Sequence, residues 1–330
     1  MKKVLKFIFR LLVLFIVAFV IFFFWASSSN LEESEYERLI VNQFESTVTN
    51  DSIYSVVTYN IGYLSGMTNN RAVDKPKELY DGNLNKVISE IKKENPDIIA
   101  FQEIDYNASR SYNVNQQNEI AKLGYNYVAE GVNFDEKYLP YPYWPPKYHF
   151  GKVISGQSIL SKYALKDYKR IVLQRVADAP FYRDALYLER LAQITKVEIE
   201  GKKVVLINVH LEAFDKITRV KQFEEVMGLF NQYKDKYPTI LLGDFNSEAR
   251  DEDAIIQKLF VEEGVGNAAF NAKNPINTFD SKKPYKRIDY IFYTENSIEY
   301  VDGKVLTQFG EASDHLPVQM RFKLKYSTNK

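Results

Sequence analysis

The strongest hydrophobic pattern in the chain lies at its start. Leu11 to Trp25 reads LLVLFIVAFVIFFFW, an unbroken apolar run, and Val4, Leu5 and Phe7 to Phe9 extend it. The segment reaches the roughly 20 residues that a helix needs to cross a bilayer. The nearby basic residues Lys2, Lys3, Lys6 and Arg10 precede the run, whereas Glu32, Glu33 and Glu35 follow it. That asymmetry predicts a cytoplasmic N-terminus with the remainder outside. The expectation is a single-pass membrane protein anchored by residues 1–26; the alternative is a secreted protein released by signal cleavage near Ala26 and the following serines. Residues 27–50 are polar and read as a linker.

Beyond the linker the pattern changes. From Ile53 onward, short apolar runs alternate with amphipathic stretches and loops, which predicts one α/β domain over residues 51–326. Ile53 to Tyr59 and Asp97 to Phe101 read as strands. Leu84, Val87, Ile88 and Ile91 share one helical face, and Pro96 stops that helix. Ile194 to Ile199 and Val204 to Val209 flank Gly201-Lys202-Lys203 as a hairpin. Val220, Phe223, Met227 and Phe230 fit a helix from Lys216 to Tyr233. Thr239 to Leu242, Ile288 to Tyr293 and Val318 to Leu324 are further strand candidates.

Composition narrows the picture modestly. With 45% hydrophobic residues and 15% aromatics, a sizeable core is available. The chain has no cysteine, which excludes disulfides, thiolate chemistry and lipoprotein processing. Setting aside the four basic residues of the first segment leaves 39 basic and 43 acidic residues. That balance argues against a non-specific nucleic-acid binder, which usually carries a basic surface.

Polar residues recur at the ends of the apolar runs. Asn60 ends the first strand, Glu103 follows DIIAFQ, and His210 ends VVLINV. Asp244 and Asn246 follow TILLG, Asp289 interrupts RIDYIFY, and Asp314 and His315 stand before the last strand. If the strands pack into sheets, these groups converge on one edge, where ligand sites of α/β folds tend to lie. Each has a plainer explanation as well. Asn60-Ile61-Gly62 is also a turn sequence, Glu103 a solvated strand end, Asp244 and Asn246 turn or capping residues, and Asp314-His315 a hydrogen-bonded pair. Asp289 is harder to set aside, because a buried acid needs a partner. Two of the chain's three histidines occupy these positions. Oxygen donors such as Glu103 and Asn60 suit Mg²⁺, with Mn²⁺ as the other candidate, better than Zn²⁺. A metal can neutralise charge on a phosphoryl oxygen, and a carboxylate-supported histidine can act as general base toward water. No GxSxG elbow or P-loop motif is present.

The segments TYNIG, FQEID, NVHLE, LLGDFN, RIDYIF and SDHLPV, in that order, resemble the endonuclease/exonuclease/phosphatase superfamily with the deoxyribonuclease I-like fold. The resemblance implies a four-layer α/β/β/α sandwich. By motif position it implies Glu103 as the principal Mg²⁺ ligand with Asn60 beside it, His315 as the catalytic histidine supported by Asp289, and Asp314 on the metal side. Asp244 and Asn246 would position water and the scissile phosphate, and His210 would contact the phosphate. His210 also separates the chain from exonuclease III-like repair enzymes, which usually carry Asn there. The stretch HFGKVISGQSILSKY resembles a family strand, placing Gln157 and Ser158 near the cleft, with His149 either a structural or rim residue or in contact with substrate.

The resulting expectation is a monomeric, metal-dependent hydrolase of phosphate esters, a phosphodiesterase or phosphatase. It would act outside the cytoplasm on phospholipid head groups or soluble phosphoesters. A nuclease with nucleic acid as substrate and an inactive binding module are the alternatives. The aromatic-proline loop Tyr138 to Pro146 reads either as a rigid packed loop or as a ligand or membrane contact. Arg110, Arg183 and Arg190 are candidates for phosphate or for ordinary ion pairs.

Overall fold

The structure is a computed structural model that describes residues 1–46, 52–271 and 273–325. The described residues form thirteen strands: β1 (Glu37–Val41), β2 (Tyr54–Asn60), β3 (Ile98–Asp105), β4 (Tyr127–Leu139), β5 (Gly151–Ser161), β6 (Leu165–Val172), β7 (Leu191–Ile199), β8 (Lys202–His210), β9 (Thr239–Asp244), β10 (Val265–Asn267), β11 (Asp289–Thr294), β12 (Ile298–Val305) and β13 (Val318–Leu324). The helices are α1 (Lys2–Ala26), α2 (Lys77–Glu94), α3 (Gln116–Ala121), α4 (Phe181–Asp184), α5 (Lys216–Tyr233) and α6 (Gln257–Phe260).

The strands form two mixed sheets. One runs β1-β4-β5-β3-β2-β13-β12 and the other β10-β11-β9-β8-β7-β6. Three apolar layers define the stacking. Val56, Ile98, Leu206, Leu242, Ile291 and Met320 fill the space between the sheets. Val57, Ile99 and Phe101 pack outward against Val87 and Ile91 of α2 and Ile120 of α3. Val205, Ile207 and Leu241 pack outward against Phe223, Val226 and Phe230 of α5 and Leu259 of α6. This is the α/β/β/α sandwich that the motifs imply.

The alternation of side chains along a strand sets what reaches the space between the sheets. On β8, Val204 and Leu206 face inward and Val205, Ile207 and Val209 face α5. Continuing by two residues places Asn208 and His210 on the inward face. The same count carries Ile240 and Leu242 of β9 to Asp244, Ile291 of β11 back to Asp289, and Val56 of β2 through Thr58 to Asn60. The parallel pairs β2–β3 and β8–β9 deliver their C-terminal ends to one side.

The segment expected to be a linker is partly built into the domain. β1 pairs antiparallel with β4, from Glu37 opposite Gly131 to Val41 opposite Tyr127. Leu31, Tyr36, Ile40 and Phe44 pack against the outer apolar cluster of the first sheet. These apolar residues are spaced too irregularly to register as a strand or helix pattern. The expected bounds of the domain, residues 51 and 326, lie outside the described residues. α1 is long and apolar enough to cross a membrane, a property a signal sequence shares.

Candidate active site

The space between the sheets changes character along its length. Below lies the apolar layer. Above it comes a band of amides: Gln102 Nε2 donates to Asn208 Oδ1 at 2.6 Å and Thr58 Oγ1 at 3.1 Å, and Asn208 Nδ2 donates to Gln193 Oε1 at 2.9 Å. Buried amides need such partners, and the Gln102–Asn208 bond ties one sheet to the other. The ionisable groups sit on top, at the strand ends.

Register brings three of them together. Asp289 lies opposite Asp244, and Asp244 opposite His210. His315 precedes β13 and reaches back: its Nδ1 lies 3.0 Å from Asp289 Oδ2, and its Nε2 lies 3.8 Å from Asp244 Oδ2. Asn60 Nδ2 donates to the same Asp244 oxygen at 2.9 Å, crossing from one sheet to the other. The other Asp244 oxygen accepts from the Asn246 backbone N–H at 2.9 Å, and Asn246 Nδ2 donates to the Leu211 carbonyl at 2.9 Å.

The glycines of two motifs are explained by crowding. Gly243 has φ +141°, and a Cβ there would lie 2.0 Å from the Val209 carbonyl oxygen. Gly62 has φ +53°, and its Cβ would lie 2.8 Å from Asp314 Oδ1.

Glu103 reaches the cleft only because its strand breaks register. Ile99 and Phe101 face α2, so simple alternation would send residue 103 the same way. The β3–β5 pairing shifts between Phe101 and Ile104, and Glu103 takes φ +52°. Ile104 thereby returns to the outer cluster, and Glu103 lines the cleft. A bulge that re-aims a side chain is a recurrent device near active sites, and left-handed backbone at a non-glycine residue costs energy that the surroundings must offset. Asn246, at φ +47°, is held in the same region.

The two site histidines are in opposite electrostatic states. Burial lowers the His210 pKa far below the usual histidine value, and the Arg190 guanidinium and His315 push it further down. Arg190 Nη1 lies 2.7 Å from His210 Nε2. The same Nη1 lies 3.2 Å from His210 Nδ1; arginine has only donors, so the ring nitrogen that accepts from it must present a lone pair. Glu103 and Asp244, at 3.8 and 3.6 Å from the same ring, therefore face a neutral imidazole and form no ion pair with it. Burial alone would lower His315 too, but Asp289 and Asp244 overcome it and raise its pKa well above normal. Asp244 is pushed up to about 7 by burial and by the charge of Asp289, against the pull of His315. Burial raises the Asp314 carboxyl, and the charge of Glu103 raises it further.

Two groupings compete as a metal centre. Asp244, Asp289 and His315 offer atoms within 4.8 Å of one another. However, Asp289 is engaged by His315 Nδ1, and a charged imidazolium repels a cation. Glu103 and Asp314 form the better donor set. Asn69 Nδ2 lies 3.0 Å from Glu103 Oε2 and 3.4 Å from Asp314 Oδ1, so one amide spans two carboxylates. Asn60 Oδ1, which accepts from Gly62 N–H at 3.1 Å, adds a hard oxygen nearby with a second lone pair. An all-oxygen set with excess negative charge fits Mg²⁺ or Mn²⁺.

All eight residues expected at the site fall at this one end of the sandwich. Sequence reasoning leaves Arg190 undifferentiated from Arg110 and Arg183 and does not single out Asn69 or Glu212. Arg190 is buried against His210 and Glu212, with Nε 3.4 Å from Glu212 Oε2; Tyr187 donates to the same oxygen at 3.0 Å. Arg110 instead pairs with the buried Asp105 at 2.7 Å and stacks 3.5 Å over the Tyr63 ring, while Arg183 is exposed on the cleft wall. Gln157 and Ser158 are a correction. Both are fully buried within the sheets, bonded to Asn208 and Gln117, and neither lines the cleft. His149 braces the aromatic loop: Nδ1 meets Tyr138 Oη at 2.9 Å and Nε2 the Tyr143 carbonyl at 3.2 Å. The cleft above the site encloses about 1490 Å³.

Comparison with known proteins agrees with this architecture. Over 171 residues the chain is 27% identical to a UPF0294 protein of Yersinia enterocolitica, a match covering 49% of this chain and 62%, less than two thirds, of that relative. Among solved structures, an endonuclease/exonuclease/phosphatase from Beutenbergia cavernae superposes with TM-score 0.59 at 20% identity, covering 82% of this chain and 72% of that one. The human Nocturnin catalytic domain with bound sulfate superposes with TM-score 0.56 at 18% identity, covering 90% and 100%. Truncated TDP2 of Caenorhabditis elegans gives 0.55 at 21%, covering 82% and 97%. At these identities the superpositions establish a common fold. The model of the Endonuclease/Exonuclease/phosphatase family matches residues 57–315, and the chain belongs to that family.

Proposed function

We propose that the protein is a Mg²⁺-dependent phosphodiesterase or phosphatase acting outside the cytoplasm, held at the membrane by α1. Family membership supports hydrolysis, since its members are typically phosphoester hydrolases that generally use divalent metal ions. The carrying observation is the meeting of His315, Asp289, Asp244, Asn60 and His210 across the two sheets, at one end of a large cleft.

In this reading water attacks phosphorus and the bond to the leaving oxygen breaks. Asp244, with a pKa near working pH, takes the proton from water; a general base is most effective there. His315, already protonated through Asp289, steadies charge on the phosphoryl group and donates a proton to the leaving oxygen. The sequence alone leaves the division of acid and base roles among these residues open. His210, kept neutral beside Arg190, donates from a ring N–H to a phosphoryl oxygen. Glu103, Asp314 and Asn60 would hold the Mg²⁺, which when bound neutralises charge growing on phosphoryl oxygens.

The test is a hydrolysis screen of the purified full chain with Mg²⁺, with and without chelator, on a lipid phosphodiester, plasmid DNA and an aryl phosphate. Chelator-sensitive turnover of the lipid or aryl ester supports the reading. Cleavage of DNA alone would replace it with a nuclease, and no turnover of any substrate would leave a binding module. Protease added to intact cells should digest the domain; full protection would overturn the extracytoplasmic location.

A further inference from the structure

The anchor helix is not hung on a loose tether. The chain leaving α1 is pinned to β4 at once. Asp135 accepts from the Asn30 backbone N–H at 2.9 Å, from Asn30 Nδ2 at 2.7 Å and from the Leu31 N–H at 2.8 Å. The Lys137 N–H donates to the Ser28 carbonyl at 3.1 Å. The last two turns of α1 then lie against the cleft itself. Phe19, Val20, Phe23 and Phe24 belong to its wall. The Phe23 ring meets Phe181 at 5.9 Å, and Phe22 meets Tyr138 at 5.6 Å.

Around the same mouth stand large side chains that are mostly exposed. Phe214 is 94% exposed, Phe181 75% and Tyr143 68%, and all three line the cleft. Exposed apolar side chains gathered at one cleft mark an interaction surface, and Tyr favours the membrane–water interface. A spanning α1 would put its C-terminal turns, and so this rim, at the outer boundary of the bilayer.

We propose that the cleft opens onto the bilayer that holds α1 and takes the phosphodiester head group of a glycerophospholipid from that same bilayer. The inference rests on the hydrolase reading above and on retention of α1. The acyl chains remain beside the last turns of α1 and the exposed rim, and the head group rises past Phe23 and Phe181 to the catalytic end. Water adds to phosphorus, one ester P–O bond breaks, and the released alcohol oxygen takes a proton. A short rigid connection holds substrate at high effective concentration, which a long flexible one loses.

The experiment uses the full chain reconstituted into vesicles of equal parts phosphatidylglycerol and phosphatidylcholine, mixed with protein-free vesicles of the same lipids carrying a different isotopic label. A soluble aryl phosphodiester is assayed in parallel with Mg²⁺. The protein should hydrolyse lipid of its own vesicle and spare the other population. A flexible Gly-Ser linker of about 20 residues, inserted between Ala26 and Ser27, spans roughly 25 Å. It should lower own-vesicle hydrolysis about tenfold and leave soluble turnover unchanged. Soluble turnover without lipid hydrolysis, or lipid hydrolysis indifferent to the linker and to the vesicle, would overturn the proposal while leaving the hydrolase intact. No turnover of either substrate would overturn both. A membrane-derived protein whose mass shows a start beyond Ala26 would also overturn the proposal.

Discussion

The two walls of the cleft carry the same side chain in opposite conditions. His210, at the end of β8, and His315, before β13, are both buried, exposed by only 1% and 6%. Burial alone disfavours the charged form of each. What separates them is the partner across the ring. Arg190 stands beside His210 and holds it neutral; Asp289 and Asp244 stand beside His315 and hold it charged. Residue type therefore does not decide the role here, and neither does depth. The neighbouring strand does, because it determines whether a guanidinium or a carboxylate meets the imidazole. An acid and a neutral donor a few ångströms apart are what phosphoryl chemistry needs.

The largest effect should follow from emptying the charged wall. His315→Ala removes both the electrostatic support and the acid, and kcat should fall by about 10²–10⁴ with circular dichroism unchanged. Asp289→Asn should also lower kcat, because His315 loses the charge that keeps it protonated. If both variants turned over normally, the distinction between the walls would have no catalytic meaning.

Much of this site is legible in the amino-acid pattern alone, and the reason is the strand period. His210, Asp244, Asp289 and Asn60 all continue the inward-facing positions of apolar runs, so the pattern that identifies the strand also identifies the face. Glu103 is the exception. Alternation alone turns it toward α2, and only the break in register rescues it, so motif resemblance succeeds where periodicity misleads. Arg190 is illegible for the opposite reason. It precedes β7 with no local feature to separate it from Arg110 and Arg183, and its importance comes from His210, on the neighbouring strand. β1 and the true environment of Gln157 and Ser158 are hidden likewise, since each depends on which strand lies alongside.

The next test sharpens the neutral wall. Arg190→Gln removes the cation that depresses His210, so the His210 pKa should rise toward the normal histidine value, read by NMR titration of its ring protons. Turnover should drop about 10–100-fold, the usual cost of losing a group that orients a site residue. A His210 titration that stays where it is would show that burial alone keeps the ring neutral.

A smaller effect separates the walls by stability, and the two signs differ. For His315 the folded pKa is raised above the unfolded value of about 6.5, so the native state binds more protons in that interval. Its stabilising contribution is complete below about 6.5 and fades as pH rises through the folded value. For His210 the folded pKa is depressed, so the unfolded chain binds more protons, and stability falls as pH drops below about 6.5. In metal-free thermal melts, His315→Asn should therefore lose most below that pH. His210→Asn should gain relative to the parent over the same range. Parallel pH dependences in the two variants would erase the contrast.

The smallest predicted effect asks whether the same rule holds away from the cleft. Glu136 on β4 is buried with Oε2 unpartnered, and its pKa is pushed up to about 8 by burial and by neighbouring Asp135. Between the ordinary glutamate value and about 8 the native state holds a proton that the unfolded chain has released. Stability must therefore decline as pH rises through that window and level off above it. Glu136→Gln is neutral throughout and removes the decline. Its melting temperature should match the parent at the acidic end and exceed it above about pH 8, with hydrolysis of a soluble ester unaffected. Like His210, Glu136 is a buried group kept neutral, but here the assisting charge is an anion, Asp135, and the nearby cation Arg175 opposes it. A flat difference between variant and parent across the window would mean that this carboxyl finds a partner for its charge. Burial and Asp135 together would then be outweighed at this site, with Arg175 the cation that draws the pKa down.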